Sequence, residues 1–295
     1  MKEKITIITP TFNRVNTLHK LYESLVSQKD KRFIWLVIDD GSKDGTSDFL
    51  NSLSEKDFDI KYIKKENGGK HTALNLAFEN LTTELACIVD SDDYLKETAV
   101  FEILNDWEKY KNNKSICGLC YLKQYNNDEV VSALFPFQEK IANYNEYIIN
   151  GNIIGDKFEV FRSEILKNNK FPVFEGEKFI GEGVIWSIIS HSYDMVFFNK
   201  ALYICEYLTD GLTNSGRKMR LKNPRGGAFH AKEYLDRRYS LKIREKNALL
   251  YLVYIRLSGE KVIRTILSSN NKLLLMFNYI PSYILYLYWK HKHMR

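Results

Sequence analysis

The feature that most constrains the fold of this chain is a regular alternation of short apolar runs and amphipathic helical patterns over its first 90 residues. Buried strands are predicted at 5–9, 33–38, 60–63 and 85–89, with helical periodicity between them. Strands that alternate with helices through short links are joined by right-handed crossovers and form a mostly parallel sheet. The sequence therefore predicts an α/β fold with a mostly parallel central sheet flanked by helices.

Polar residues follow three of these four predicted strands. The clusters are Thr-Phe-Asn-Arg at 11–14, Asp-Asp-Gly-Ser at 39–42 and Asp-Ser-Asp-Asp at 90–93. Ligands of open parallel sheets bind beyond the carboxyl ends of the strands. We therefore expect the three clusters to line one mouth of the molecule.

The acidic cluster at 90–93 is the group that most favours chemistry. Its three carboxylates repel one another unless a cation lies among them. Carboxylate oxygens are good ligands for Mn²⁺ and Mg²⁺, which commonly bridge to substrate phosphates. Acidic loops are often only solvated, but the position after a predicted parallel strand favours a metal site here.

The cluster at 39–42 has a simpler alternative explanation. Asp44 is a suitable helix start and Gly41 permits a sharp bend, so 39–46 could be only a turn and a helix cap. That explanation leaves two carboxylates at the end of a buried run unaccounted for. A carboxylate at this position can accept a hydrogen bond from a nucleobase.

Beyond residue 115 the pattern is mixed. Further strands are predicted at 116–121, 130–134, 158–161 and 195–198, a helix near 183–192, and helices from 224 to the end. This change of pattern predicts a catalytic domain at 1–222 and a helical C-terminal region at 223–295.

Three features bear on partners and location. Cys117 and Cys120 form a CxxC inside an apolar run, which favours buried free thiols in a reducing cytoplasm over a metal site. The stretch 217–246 is basic, but no nucleic-acid-binding module is recognisable, so we expect no nucleic-acid partner. The apolar segment 273–289 is followed by basic residues. It suits peripheral contact with the inner membrane face, and the alternative is a helix packed on the core.

Four motifs in order resemble the family 2 glycosyltransferases with the GT-A fold. They are Thr-Pro-Thr-Phe-Asn-Arg at 9–14, Val-Ile-Asp-Asp-Gly-Ser at 37–42, Asn-Gly-Gly-Lys-His at 67–71 leading into 73–77, and Asp-Ser-Asp-Asp at 90–93. The resemblance covers roughly residues 3–210. It implies a Rossmann-like GT-A domain, a nucleotide-sugar donor, and Mn²⁺ or Mg²⁺ as cofactor.

The resemblance also implies roles for individual residues. Phe12 would face the nucleobase, Asp40 would bind the uracil edge, and Asp92 would ligate the metal. The segment 207–218 looks like the mobile loop that closes over the diphosphate in similar enzymes. The residues assigned to the nucleotide sugar are Pro10, Phe12, Asn13, Asp40, Lys70, Asp90, Arg217 and Lys218, and those assigned to the metal are Asp90 and Asp92.

An inverting transfer needs a general base that takes the proton of the acceptor hydroxyl. Many family members carry a Glu-Asp pair before a helix, with the Asp as base. This chain instead has Gly181-Glu182-Gly183, so we predict that Glu182 is the base, with Glu175 and Glu177 as the reserve candidates. The alternative is that Glu182 only caps the following helix.

The sequence therefore predicts an inverting glycosyltransferase that moves a sugar from a UDP-sugar to a saccharide acceptor by metal-assisted displacement. The apolar tail and the resemblance favour a lipid-linked acceptor in surface polysaccharide or cell-wall glycan synthesis. Two alternatives remain open. One is a nucleotide-sugar-binding protein without activity, and the other is a metal-dependent nucleotidyltransferase, which normally needs an early glycine-rich basic loop.

Overall fold

The computed structural model describes residues 3–53, 57–131, 133–206 and 218–293. Within these ranges the chain forms a nine-stranded sheet flanked by helices and followed by further helices. This confirms the predicted α/β class with a helical C-terminal extension. The sheet region contains β1 Ile5–Thr11, α1 Val15–Val26, β2 Phe33–Asp39, α2 Thr46–Ser52, β3 Asp59–Lys64, α3 Lys70–Glu79, β4 Leu85–Ile88, β5 Tyr94–Leu95, α4 Ala99–Glu108, β6 Ile116–Tyr125, β7 Glu139–Ala142, a π-helix Asn145–Asn150, β8 Lys157–Arg162, α5 Ser163–Asn168, α6 Gly183–Ile189 and β9 Asp194–Cys205.

The first half of the sheet is parallel, in the order β3-β2-β1-β4. All seven residues of β1 and all seven of β2 are buried. Strands covered on both faces are expected to be continuously apolar, which is the pattern that the sequence has there. All four strands predicted in the first 90 residues are confirmed.

The second half of the sheet is mixed. Strand β8 lies antiparallel between β4 and β6, β6 is parallel to β9, and β9 also pairs with β5 and β7. The strand predicted at 130–134 is wrong, because Val130 makes only an isolated bridge with Gln124. The bridge lies beyond Leu122, the last residue of β6 that pairs with β8.

The core is divided by the sheet into two layers. Alternate residues of β2 face opposite sides: Trp35 and Val37 pack in one cluster, and Leu36 and Ile38 in the other. This is the period of two that a strand imposes on its side chains. The CxxC cysteines are buried free thiols in the second cluster, as predicted.

The C-terminal region consists of helices with a small core of their own. Tyr254 and Trp289 bring the long helix and the last helix together, with 6.4 Å between ring centroids. None of the helices in the described ranges has both the length and the apolar character to cross a bilayer. The division at residue 222 stays a prediction. The helices are α7 Pro224–Glu233, α8 Leu241–Leu257, α9 Val262–Ser268, α10 Lys272–Phe277 and α11 Tyr279–His293.

Candidate active site

A cavity of about 400 Å³ opens at the carboxyl ends of β1, β2 and β4. The structure brings all three polar clusters of the sequence to its wall. The helix α3 and the segment before α6 close the other sides. The predicted site residues that line the cavity are Pro10, Phe12, Asp40, Lys70, Asp90 and Asp92.

The tip of β1 presents an aromatic face to the cavity. Phe12 is 46% exposed although it is a large apolar side chain, and Pro10 is buried beneath it at the end of β1. Asn13 does not line the cavity. Its backbone amide donates to Ser42 Oγ at 2.8 Å, and its Oδ1 accepts from the Lys43 amide at 2.8 Å, so it joins the tips of β1 and β2.

Asp40 is almost fully buried, and its carboxylate is saturated with hydrogen bonds. It accepts from the amides of Gly68 at 2.9 Å and Gly69 at 2.7 Å, from Asn67 Nδ2 at 3.1 Å, and from Lys65 Nζ at 2.7 Å. A carboxylate has about four acceptor positions. Contact with a uracil N–H would therefore have to replace one of these four donors.

Gly69 explains the glycine pair that precedes α3. Its φ is +92°, and a Cβ there would lie 1.9 Å from the carbonyl oxygen of Lys178. A side chain is therefore excluded at this position. The close approach lets Lys178 Nζ donate to Asn67 Oδ1 at 2.6 Å and fixes the start of α3 beside the cavity.

Lys70, the first residue of α3, joins two predicted site residues. Its Nζ lies 2.5 Å from Asp90 Oδ1 and 2.6 Å from Glu182 Oε1. Burial alone would lower the pKa of Lys70, but the two carboxylates raise it above the ordinary lysine value, so Lys70 stays charged. Glu182 makes no capping hydrogen bond to α6. Glu182 occupies the N-cap position of α6, but its carboxylate pairs with Lys70 and not with the amides of the helix.

The acidic cluster divides into three different environments. Asp93 accepts from Tyr203 Oη at 2.7 Å and from the Glu206 amide at 2.9 Å, which anchors the tip of β4 on β9. Burial and then the charge of Asp90 raise the pKa of Asp93 to about 7. The carboxylate of Asp92 has no hydrogen bond or ion pair to another residue in the described part of the chain. Burial and then Asp90 raise its pKa also.

No group of three His, Cys, Asp or Glu side chains that could ligate one metal occurs in the ranges that the structure describes. Asp90 and Asp92 nevertheless fit a divalent ion that also binds a substrate phosphate. Both are oxygen donors on the cavity wall, and no side chain or amide in the described ranges occupies the acceptor positions of the Asp92 carboxylate. Hard cations such as Mn²⁺ and Mg²⁺ suit such a partial ligand set.

Several charged residues of this region escaped the sequence reasoning, among them Lys123 and Glu159. Lys123 of β6 lines the cavity. Burial alone would raise the pKa of Asp90, but the charges of Lys70 and then Lys123 lower it below the ordinary aspartate value. Glu159 lies in β8, where burial raises its pKa to about 7, with Lys123 opposing and Glu182 adding to the increase. The usable signal is a charged residue inside an apolar strand, as in Phe158-Glu159-Val160.

The reserve candidates for the base have other places. Glu177 accepts from the amides of Arg225 at 2.7 Å and Gly226 at 2.8 Å, so it caps α7. Glu175 is exposed and does not line the cavity. Arg217 lies outside the described residues, together with most of the predicted mobile loop. Lys218 is exposed and not on the cavity wall.

Several solved structures resemble this one. Staphylococcus aureus TarS 1–349 in complex with UDP matches with a TM-score of 0.60 and 18% identity over 90% of this chain and 75% of that chain. The mannosyltransferase PcManGT from Pyrobaculum calidifontis, in complex with GDP-Man and Mn²⁺, matches with a TM-score of 0.58 and 15% identity over 100% and 85% of the two chains. These likenesses define the fold as that of the GT-A glycosyltransferases.

Sequence comparison gives the family. Residues 6–169, more than half of the chain, match the model of glycosyl transferase family 2, and the chain belongs to that family. Glycosyltransferase GlyA of Streptococcus pneumoniae is 28% identical over 60% of this chain and 23% of its own length. The GalNAc(5)-diNAcBac-PP-undecaprenol beta-1,3-glucosyltransferase of Campylobacter jejuni is 26% identical over 62% and 58%. The chain thus spans less than two thirds of either relative.

Proposed function

We propose that this glycosyltransferase moves a sugar from a UDP-sugar to a saccharide acceptor, with inversion of the anomeric centre. The observation that carries the proposal is the carboxylate of Asp92, which lies beside Asp90 on the wall of the strand-tip cavity and has no partner within the described part of the chain. Solved relatives of the same fold contain UDP and UDP-GlcNAc, or GDP-Man with Mn²⁺, which supports a donor of this kind.

Different residues of the cavity would bind different parts of the donor. Phe12 offers a ring face on which a nucleobase can stack, at the mouth of the cavity. When bound by Asp90 and Asp92, Mn²⁺ or Mg²⁺ would supply positive charge to the departing nucleoside diphosphate. Lys70 carries a further positive charge on the same wall, next to Asp90.

Glu182 is the proposed general base. A carboxylate can take the proton of an acceptor hydroxyl as that oxygen attacks the sugar carbon, while the bond to the diphosphate breaks. The ion pair at 2.6 Å holds the Glu182 carboxylate next to Lys70 of the cavity wall, and Glu182 itself is not a lining residue. Residues 1–222 would thus form the catalytic domain, with 223–295 as a helical region attached to it.

A panel of UDP-sugars with GDP-mannose as comparator tests the donor. We expect one UDP-sugar to raise the thermal midpoint of unfolding by several degrees, and only with Mn²⁺ or Mg²⁺ present. Glu182→Gln should keep this stabilisation but release UDP at a rate lower by about 100-fold or more. Stabilisation without turnover by the native chain would support the inactive binding protein instead. Pyrophosphate release from a nucleoside triphosphate would support the nucleotidyltransferase.

A lipid-linked acceptor is the second part of the proposal, and the surface of the C-terminal helices supports it. Of the 19 large apolar side chains exposed in the described part of the chain, 11 lie between residues 263 and 288. No Asp or Glu occurs after Glu260, whereas 261–295 contains six Lys or Arg. An apolar surface with basic flanks suits the interface of an anionic bilayer, the inner membrane face being the expected one.

Sedimentation with vesicles of phosphatidylglycerol and phosphatidylcholine tests this contact. The triple variant Phe277→Ser, Ile280→Ser and Ile284→Ser should sediment much less than the native chain. The control removes exposed apolar side chains elsewhere, with Leu134→Ser, Ile154→Ser and Val173→Ser. Equal losses in the two variants, or no sedimentation of the native chain, would contradict the membrane contact.

A further inference from the structure

A second cavity, of about 310 Å³, lies directly behind the segment that leads to Glu182. It is enclosed by the π-helix, by residues 179–181, and by α7 and α8. Phe179 lines both this cavity and the one at the strand tips. Gly181 is in its wall, and the next residue is the proposed base.

The segment before Glu182 is held firmly against α7. Glu177 caps the first turn of α7 through the Arg225 and Gly226 amides. A Cβ at Gly226 would lie 2.5 Å from the carbonyl oxygen of Phe179, so only glycine permits this approach. A ligand in the second cavity would therefore lie at a fixed position relative to Glu182.

The lining of the second cavity is apolar inside and basic at the rim. None of the 18 described residues that line it is acidic. Arg220 and Lys246 are exposed at the rim, and neither pairs with a carboxylate in the described part of the chain. The large aliphatic residues of the wall are Ile148, Ile149, Ile153, Ile180, Ile243 and Leu250.

The single histidine of the wall does not add a third charge. Burial, followed by the nearby charges of Arg220 and Lys246, lowers the pKa of His230 to about 4. His230 is therefore neutral at physiological pH, and its ring packs on Tyr234 with centroids 5.0 Å apart. The two rim cations are the charges that a ligand would meet.

We propose that the second cavity is the acceptor subsite, and that it takes an acceptor carrying a prenyl phosphate, with the isoprenoid carbons inside and the phosphate between Arg220 and Lys246. Charge complementarity selects an anion, because phosphate oxygens suit Arg and Lys donors and no lining carboxylate opposes them. The aliphatic wall selects an apolar chain next to that anion. The proposal rests on the proposed function, because it assigns the substrate that Glu182 deprotonates.

Isothermal titration with farnesyl phosphate, below its critical micelle concentration, tests the subsite. The native chain should bind it at least about tenfold more tightly than farnesol or inorganic phosphate alone. The double variant Arg220→Glu and Lys246→Glu should lose about tenfold or more of this affinity. Lys222→Glu with Lys242→Glu is the matched control, since both lysines are exposed neighbours outside the cavity wall. That control should change the affinity by less than about twofold.

A variant that fills the cavity tests the position of the chain. Ile153→Trp should weaken farnesyl phosphate binding while the thermal midpoint of the free protein stays near that of the native chain. Equal losses in the rim variant and its control would overturn the subsite. So would unchanged binding by Ile153→Trp.

A parallel assay separates the two proposals. Slow consumption of the UDP-sugar by water, without acceptor, is measured for the native chain and for the rim variant. If the native chain consumes the UDP-sugar but the cavity variants bind farnesyl phosphate as tightly as the native chain, the subsite is overturned and the proposed transfer is not. If the cavity variants lose farnesyl phosphate binding but the native chain does not consume the UDP-sugar, the proposed transfer is overturned and the subsite stands.

Discussion

Two aspartates on either side of β1 face the same cavity but are held in opposite ways. Asp40, after β2, accepts four hydrogen bonds and is only 4% exposed. Asp92, after β4, has no such partner in the described residues and lies beside the charged Asp90. The first carboxylate is therefore expected to hold the protein together, and the second to hold something that the protein itself lacks.

This difference follows from the loops around each strand tip. The Asn67-Gly68-Gly69 segment turns its amides toward Asp40, and buried acceptors that are fully satisfied stabilise a fold. The 90–93 loop instead gives its carboxylates separate environments: Asp90 pairs with Lys70, Asp93 accepts from Tyr203, and Asp92 has no such partner in the described residues. Clustered carboxylates with perturbed pKa values are typical of functional sites. Aspartate at one strand tip is thus expected to stabilise the fold and at the other to bind a ligand. Substitutions can measure the two effects separately.

The largest expected effect is on activity, from Asp92→Asn. Loss of one carboxylate from the proposed metal site should lower the rate of sugar transfer by about 1,000-fold, or ~4 kcal/mol. The free energy of unfolding should change little, because the Asp92 carboxylate makes no hydrogen bond or ion pair with another residue that the structure describes. Steady-state UDP release and urea unfolding measure the two quantities.

Asp48→Asn is the control for that substitution, since Asp48 is exposed on α2 and outside the cavity. A transfer rate for Asp92→Asn within about tenfold of that of the native chain would contradict the functional role given to Asp92 in the comparison with Asp40.

The second effect is on stability, from Asp40→Asn. The N–H donors of the new amide would face the N–H donors of residues 67–69, which can no longer be satisfied. Lys65 would also lose its carboxylate partner. We expect the free energy of unfolding to fall by ~3 kcal/mol. The measurement is the urea midpoint at an unchanged m-value. Equal stability of the Asp40→Asn and Asp92→Asn variants would contradict the distinction.

A smaller effect sharpens the description of Asp40. Lys65→Met removes the charged partner of Asp40 and leaves the two backbone amides in place. The loss should be ~1.5 kcal/mol of unfolding free energy, because a charge-assisted hydrogen bond is removed from a largely buried acceptor. Lys61→Met is the control, since Lys61 is exposed on β3. A Lys65→Met loss as large as that of Asp40→Asn would mean that the amides contribute nothing.

The sequence predicted the parallel half of the sheet and its polar tips well, because both follow from local patterns. Alternating apolar runs define the strands, and Asp40 and Asp92 come directly after two of them. The pairing of β8 between β4 and β6 was beyond such reasoning, since it joins distant segments. The bridge from Lys70 to Glu182 depends on that same long-range packing. The strand predicted at 130–134 shows the converse, because a suitable local pattern there gives only one isolated bridge, between Val130 and Gln124.

Glu159 provides the smallest test, as a third carboxylate that is neither saturated nor on the cavity wall. Its pKa in the folded chain is about 7, above the ordinary glutamate value near 4.3. Between these values the folded chain keeps a proton that the unfolded chain has released. The contribution of Glu159 to stability is therefore present at low pH and is lost as the pH rises to 7.

Glu159→Gln removes this titration and leaves the shape of the side chain nearly unchanged. The variant should gain on the order of 1 kcal/mol of unfolding free energy over the native chain at about pH 8, and clearly less at about pH 5. Urea unfolding of both proteins at the two pH values gives the comparison. Protonation of His230 destabilises both proteins equally as the pH falls toward 4, so it cancels in the difference. A gain that does not grow with pH would mean that Glu159 is ionised in the folded chain and would contradict its raised pKa.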